Sequence, residues 1–245
     1  MSYFKIYKID AISSTNEYLK QLYFKKNIYD NFLIITNNQT EGKGQGSSYW
    51  ESEPKKNLTL SIYKDLKKNK LKNPFIINLI ISISIIETLK KYNLPNLKIK
   101  WPNDILSASK KISGILIENF FQREFLISSI IGIGLNVNQI SFKKAKNAIS
   151  IASIKKKKID LTEVLNKKTK KISLKLQEID NLKINDLINE YESLLFKKGK
   201  FSKFNINNKL IDGCILGVNQ SGKLKVKISN EIIREYNSSE IKIIY

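Results

Sequence analysis

Residues 39–50 read Gln-Thr-Glu-Gly-Lys-Gly-Gln-Gly-Ser-Ser-Tyr-Trp. Gly42, Gly44 and Gly46 alternate, which lets the backbone approach a ligand closely and turn amides toward an anion, with Lys43 adding charge. The spacing is neither a P-loop nor a dinucleotide fingerprint. A flexible surface loop is the alternative; Trp50 argues against it, as an aromatic that could close over a substrate. A second segment, Lys100-Trp101-Pro102-Asn103-Asp104, stops a strand at proline and delivers two polar side chains to its end. A turn capping the strand, with Trp101 in the core, is equally open. In the third, Lys110-Lys111-Ile112-Ser113-Gly114, a lysine opens an apolar strand. Held over a dry sheet surface, it would stabilise developing negative charge more strongly than in water; a plain charged strand end is the alternative. The fourth, Gly132-Ile133-Gly134-Leu135-Asn136, puts two glycines inside an apolar strand. That fits close approach of a ligand, a bulge, or an edge against another subunit.

Composition narrows the chemistry. The 245 residues include no histidine and one cysteine, so acid–base histidine, an internal disulfide framework and a cysteine zinc site are excluded. With 42% hydrophobic residues the chain can bury a core. Its formal net charge of +21 invites a nucleic-acid reading. Arginine, which grips phosphates and bases bidentately, occurs only as Arg123 and Arg234. Lys, Ile and Asn share A/T-rich codons, so mutational bias accounts better for the charge. A non-catalytic basic nucleic-acid-binding protein stays as the alternative of another class. The N-terminus lacks an apolar signal region. The most apolar stretch, Phe75–Ile86, is interrupted by Asn78, Ser82 and Ser84 and falls short of the roughly 20 residues that span a bilayer. A cytoplasmic protein without a membrane partner is expected.

The elements that must position these segments follow from periodicity and turn residues. Strands are expected at Tyr3–Ile9, Phe32–Thr36, Leu58–Tyr63 and Leu97–Trp101, with Ile112–Glu118 and Phe125–Val137 paired. Ser14 and Glu17 have capping-box spacing and start a helix. Pro74 opens a long apolar helix ending near Tyr92–Pro95. Asp160 with Glu163 starts another that runs to Ile179, and Asp186–Lys197 is a helix stopped by Gly199. Asn37–Ser48 is expected as a loop, and the run Lys155–Lys158 as a solvated turn. After Gly199 short strands alternate with turns at Leu210–Ile215, Lys223–Ile228, Ile232–Tyr236 and Ile241–Ile244. This is expected to be a small β-barrel or sandwich packed on the main domain.

Taken in order, Ser14-Thr15-Asn16, Gln39-x-x-Gly42-Lys43-Gly44, Lys100-Trp101-Pro102-Asn103-Asp104, Lys111-x-x-Gly114-Ile115-Leu116-x-Glu118 and Gly132-x-Gly134-x-Asn136 resemble the biotin–protein ligases along the whole chain. The resemblance implies an α+β (mixed α/β) fold. A class II synthetase-like catalytic domain, a largely antiparallel sheet flanked by helices, would occupy residues 1–198. An SH3-like C-terminal domain would occupy residues 199–245. Some members of the family carry an N-terminal DNA-binding domain. Here Ser14-Thr15-Asn16 comes almost at once, so a form without that domain, and without DNA as a partner, is expected.

The resemblance also implies the reaction. ATP and biotin give biotinyl-5′-AMP, and biotin passes to a lysine of a biotin carboxyl carrier protein, usually of acetyl-CoA carboxylase. Mg²⁺ would accompany ATP, with no protein cage of its own. Ser14, Thr15, Asn16 and Gln39 would bind biotin's polar groups. Gly42, Lys43, Gly44 and Gln45 would form the loop over biotin and the adenylate phosphate, and Trp50 would wall the site. Lys111 matches the catalytic lysine, bridging carboxylate and α-phosphate, with Lys43 as second cation. Gly114 and Leu116 would line the biotin tunnel. Asn103 and Asn136 match positions near ATP and its metal. Gly132 and Gly134 lie on a strand that some members use to dimerise, so a homodimer is among the assemblies implied. The family's loop usually carries Arg where this chain has Lys43, and here the following glycine is shifted to Gly46. A lipoate–protein ligase of the same fold is the nearest rival. Octanoyl transfer through cysteine is disfavoured, because Cys214 lies far in sequence from every motif.

Overall fold

The computed structural model describes residues 4–228 and 232–244. Tyr3, the expected start of the first strand, lies outside them. Seven strands form one sheet: β1 (Lys5–Ile12), β2 (Phe32–Gln39), β3 (Leu58–Asp65), β4 (Lys98–Lys100), β5 (Asp104–Ser107), β6 (Lys110–Gln122) and β7 (Phe125–Leu135). Their order is β1-β2-β3-β7-β6-β5-β4, and every neighbouring pair except β1–β2 is antiparallel.

The two faces of this sheet have different fates, because side chains alternate with period two. Leu60, Ile62, Ile131, Ile133 and Ile115 belong to the main core cluster with α2 (Phe75–Lys90). That helix is apolar around its whole circumference and buried along almost its whole length. It is covered in turn by α4 (Leu161–Gln177) and α5 (Ile184–Ser193). The other face is half covered. Leu19 of α1 (Thr15–Phe24) packs with Tyr63, Ile130, Phe32 and Ile34 at one end. The end carrying Thr59, Gly132, Gly134 and Gly114 is left open, and the N-terminus of α1 abuts it.

Local chemistry explains the helix starts. Ser14 Oγ accepts from the Glu17 amide at 3.5 Å, and Asp160 Oδ1 accepts from the Thr162 amide at 2.8 Å. Several boundaries differ from expectation and β5 has no counterpart among the expected strands; three of the differences are instructive. β2 continues to Gln39, shortening the loop that was expected from Asn37, because Ala11 and Ile12 of β1 pair with Asn38 and Gln39. α5 ends at Ser193 rather than Lys197. The Leu194 carbonyl and Phe196 amide instead hydrogen-bond Ile99, both at 2.8 Å, which the helix would forbid. Within the Lys-rich stretch a short helix, α3 (Ile151–Lys155), forms and stops at Lys156, which adopts a φ of 54°.

The tail folds as a five-stranded antiparallel sheet of β8 (Phe201–Ile206), β9 (Lys209–Val218), β10 (Leu224–Ile228), β11 (Ile233–Tyr236) and β12 (Ile241–Ile243), in the order β11-β10-β9-β8-β12. β8 had no counterpart among the expected strands. This sheet docks on the rest of the chain as its small size requires. Trp101 Nε1 donates to the Gly222 carbonyl at 2.9 Å, and Glu192 Oε1 accepts from the Val218 amide at 2.8 Å. Among the described residues no helix is long and apolar enough to cross a membrane.

Candidate active site

The uncovered end of the sheet face, roofed by residues 43–50 and flanked by the tail sheet, encloses a cavity of about 890 Å³. Ser14, Thr15, Asn16, Gln39, Lys43, Gly44, Gln45, Trp50, Asn103, Lys111, Gly114 and Leu116 all line it. Four segments spread over a hundred residues thus converge, because β3, β7 and β6 are adjacent and their register sets Ser61, Gly132 and Leu116 side by side.

The glycines of β7 serve the cavity. A Cβ at Gly134 would stand 2.2 Å from Trp50 Cε2, and one at Gly132 would stand 2.3 Å from Asn16 Oδ1. β7 is paired on both edges, by β3 and β6, so the alternative of an edge against another subunit does not hold for its backbone.

At one end of the cavity the polar groups form a closed network. Gln39 Oε1 accepts from the Thr15 amide at 3.0 Å and from Thr15 Oγ1 at 3.2 Å. Ser61 Oγ lies 2.8 Å from Thr15 Oγ1 and 2.6 Å from Asn16 Oδ1. Ser61 escaped the sequence reading, although Thr59 and Ser61 repeat with period two in an otherwise apolar strand. Trp50 Nε1 and Thr59 Oγ1, buried polar atoms of cavity-lining residues, have no hydrogen-bond partner among the described residues. A buried unpaired donor costs about 1–3 kcal/mol, so such a wall suits a polar ligand.

The cationic part is built differently. Lys111 Nζ sits 2.6 Å from Asp104 Oδ1 and 5.5 Å from the centroid of the Trp50 ring. A bulge between Ile105 and Leu106 brings Lys111 opposite Leu106 and so within reach of Asp104. Lys100 Nζ lies 3.6 Å from the same carboxylate, at Oδ2. Lys43 Nζ is 2.9 Å from Glu17 Oε1, so Glu17, expected to close a capping box, holds the loop's cation. Both partners of that pair are exposed enough for the bond to be worth little.

The glycine loop is folded. The Gly44 amide donates to Ser48 at 2.8 Å and the Trp50 amide to Gly42 at 2.9 Å, while Gln45 Nε2 reaches Ser238 Oγ of the tail at 3.1 Å. Ser239 and Lys242 of the tail also line the cavity, which no sequence motif indicated.

Two expected site residues stand back. Gly42 lies at the loop base, where a Cβ would come 2.3 Å from the Trp50 carbonyl, and does not line the cavity. Asn136 is buried behind β6. Its Nδ2 donates to the carbonyls of Ile149 at 3.2 Å and Lys111 at 3.4 Å, so it braces the strand that carries Lys111. Asn136 Oδ1 has no hydrogen-bond partner among the described residues. Asn103 does line the cavity and is pinned by donating Nδ2 to the Ile115 carbonyl at 2.8 Å.

Comparison with known proteins matches residues 9–136 to the biotin/lipoate A/B protein ligase family. The bifunctional ligase/repressor BirA of Bacillus spizizenii is 33% identical over 132 residues, which are 54% of this chain and 40% of that protein. The BirA of Salmonella typhimurium is 26% identical over 239 residues, 96% of this chain and 73% of that one. The chain thus spans about 40% of the length of the first curated relatives it matches. Among solved structures, the biotin protein ligase from Aquifex aeolicus in complex with biotin and ATP superposes with a TM-score of 0.82, at 27% identity and 98% coverage of each chain.

Proposed function

The chain belongs to the biotin/lipoate A/B protein ligase family, and from that membership we propose that it activates biotin with ATP and transfers it to a carrier protein in the cytoplasm. The carrier is the biotin carboxyl carrier protein of acetyl-CoA carboxylase. The observation that carries the choice of biotin is the hydrogen-bonding end of the cavity. Thr15, Asn16, Gln39 and Thr59 offer donors and acceptors to a cyclic urea. The dithiolane of lipoate has neither, and would leave such groups unpaired in a buried place, a discrimination that binding sites exploit by large factors.

The chemistry follows from the two ends. A biotin carboxylate oxygen attacks the α-phosphorus of ATP, the bond to the β-phosphate oxygen breaks, and pyrophosphate leaves. Two anions must meet, so the chain's contribution is positive charge and positioning. Lys111, poised between Asp104 and the Trp50 face, moves onto the shared negative charge of carboxylate and phosphate. In the second step the carrier lysine, as free amine, attacks the acyl carbon and AMP leaves. The loop from Gly42 to Gln45 keeps water from the mixed anhydride in between. Mg²⁺ would neutralise the triphosphate when bound. The described residues contain no cluster of three or more His, Cys, Asp or Glu. Asp104, which lines the cavity, is the carboxylate that would suit a metal delivered with its nucleotide, the usual habit of Mg²⁺.

ATP–pyrophosphate exchange measured with biotin, with lipoate and with neither tests the proposal. Exchange dependent on biotin is expected; exchange driven by lipoate alone would show the substrate to be wrong.

Retention of the intermediate gives a second test. Lys43 is the loop's cation and can exchange Glu17 for the adenylate phosphate. A charge-assisted hydrogen bond contributes about 1.5–3 kcal/mol, so Lys43→Gln should release biotinyl-adenylate on the order of tenfold faster. Lys43→Arg should retain it at least as well as the native chain. Dissociation after rapid dilution reads the difference, and equal rates for Lys43→Gln and the native protein would remove Lys43 from this role.

A further inference from the structure

Beyond the cavity wall lies a cluster that no step above employs. Glu118, two residues past Leu116 on β6, accepts from Asn16 Nδ2 at 3.0 Å through Oε2 and from Lys20 Nζ at 2.9 Å through Oε1. The other Asn16 amide hydrogen points at the Leu116 carbonyl, 3.3 Å away. From the opposite side Ser61 Oγ lies 2.6 Å from Asn16 Oδ1. Neither Glu118, Lys20 nor Ser61 lines the cavity, whereas Asn16 does.

These partners fix what Asn16 can offer. A carboxamide has two N–H donors and two acceptor lone pairs. Both donors are directed at oxygens that cannot donate, the Glu118 carboxylate and the Leu116 carbonyl, so only one orientation of the amide is satisfied. Ser61 takes one lone pair of Oδ1. The remaining valence is an acceptor. A flipped amide would set Oδ1 against the Glu118 carboxylate, a repulsion between two acceptors in a buried place.

We propose that Glu118 is a positioning residue which, held in place by Lys20, locks Asn16 as a hydrogen-bond acceptor and so makes this end of the cavity selective for a ligand that presents N–H groups. The proposal rests on the biotin reading above, in which those N–H groups are the urea's. The hydrogen bond to Glu118 is also the first cause that holds the Lys20 ammonium above its ordinary range. Lys20 and Glu118 are 98 residues apart, on α1 and β6, so the clasp also sets where the N-terminus of α1 sits on the sheet.

A charge exchange separates positioning from mere structural support. In Asn16→Asp an acceptor still faces the ligand, but two carboxylates now oppose each other at positions 16 and 118. In Glu118→Gln one of the contacts to Asn16 and Lys20 becomes donor against donor, and Asn16 is free to flip. In the double variant the amide introduced on β6 again accepts from Lys20 and donates to the carboxylate introduced on α1, so the contact between positions 16 and 118 is rebuilt with its polarity reversed, and only the donation to the Leu116 carbonyl is not restored. Each single variant should raise the KM for biotin at least tenfold, with kcat and the KM for ATP within about twofold of native. The double variant should bring the biotin KM at least threefold below that of Asn16→Asp, while staying above native because a carboxylate oxygen still faces the Leu116 carbonyl. A double variant no better than Asn16→Asp, or a Glu118→Gln variant with native KM, overturns the proposal. Should Asn16→Asp not fold, Lys20→Met at the edge of the cluster carries the test: a biotin KM raised threefold or more supports the lock, and an unchanged one overturns it. Native protein whose exchange ignores biotin would refute the biotin reading itself, an outcome distinct from all of these.

Discussion

Lys111→Ala is expected to slow adenylate formation roughly a hundredfold or more, by analogy with loss of a preorganised charge-stabilising donor worth about 3–4 kcal/mol. The surroundings of Lys111 point to the upper end. Its removal leaves Asp104, which sits 2.6 Å from Nζ, as a nearly buried carboxylate facing the place where two anions react. The backbone of Lys111 is held independently, its amide by Asn147 at 2.8 Å and its carbonyl by the Ile149 amide at 2.9 Å, so the fold should survive. Lys110 is exposed at the start of the strand, and Lys110→Ala should be nearly silent. Single-turnover adenylate formation checks the pair; comparable losses in both variants would place the catalytic charge elsewhere.

Lys168→Met is expected to stabilise the protein at neutral pH by on the order of 3–5 kcal/mol, the cost of keeping a lysine ammonium out of water. Lys168 lies on the apolar stripe of α4 with Val164, Leu165, Ile172 and Leu176, is 0% exposed, and its Nζ has no hydrogen-bond partner among the described residues. Burial pushes its ammonium from 10.5 down to about 7, and each unit of such a shift corresponds to about 1.4 kcal/mol. The sign follows from proton linkage. Below pH about 7 the folded and unfolded chains both carry the proton, and the full cost of a buried charge is present. Between about 7 and 10.5 only the unfolded chain binds it, so stability rises with pH, by about 1.4 kcal/mol per unit at most. Above 10.5 the contribution is constant. Denaturant unfolding at pH 6, 8 and 10 should show the native protein gaining on Lys168→Met as pH rises. Parallel pH profiles for the two proteins would mean that the Lys168 ammonium is solvated or paired in solution.

The types and spacing of residues already determined a good deal. Gly132 and Gly134 were legible as candidate points of close approach because a glycine inside an apolar strand has a cost that needs a reason, and the reasons are Asn16 and Trp50. The caps at Ser14 and Asp160 were legible because a cap is made within three residues of itself. The strong helical signal of α2 needed only local apolar density. Boundaries such as the end of α5 were not, because Leu194 and Phe196 answer to Ile99, about a hundred residues away.

Only the tertiary structure decided which groups oppose each other across the site. Asp104 and Lys111 meet because of one bulge, and Glu17 meets Lys43 because α1 and the glycine loop fold over the same end of the sheet. Ser61, Glu118 and Lys20 surround Asn16 through the register of β3, β7 and β6 and the docking of α1. Asn136 faces inward to brace a strand, and Ser238 and Lys242 reach the cavity from a sheet whose own strands carry no site motif. Residue types and local spacing specify what a segment can become, since turns, caps and alternation are satisfied by near neighbours. Register between distant strands is chosen by the burial of a whole face at once, and that choice decides which polar atom finds which partner.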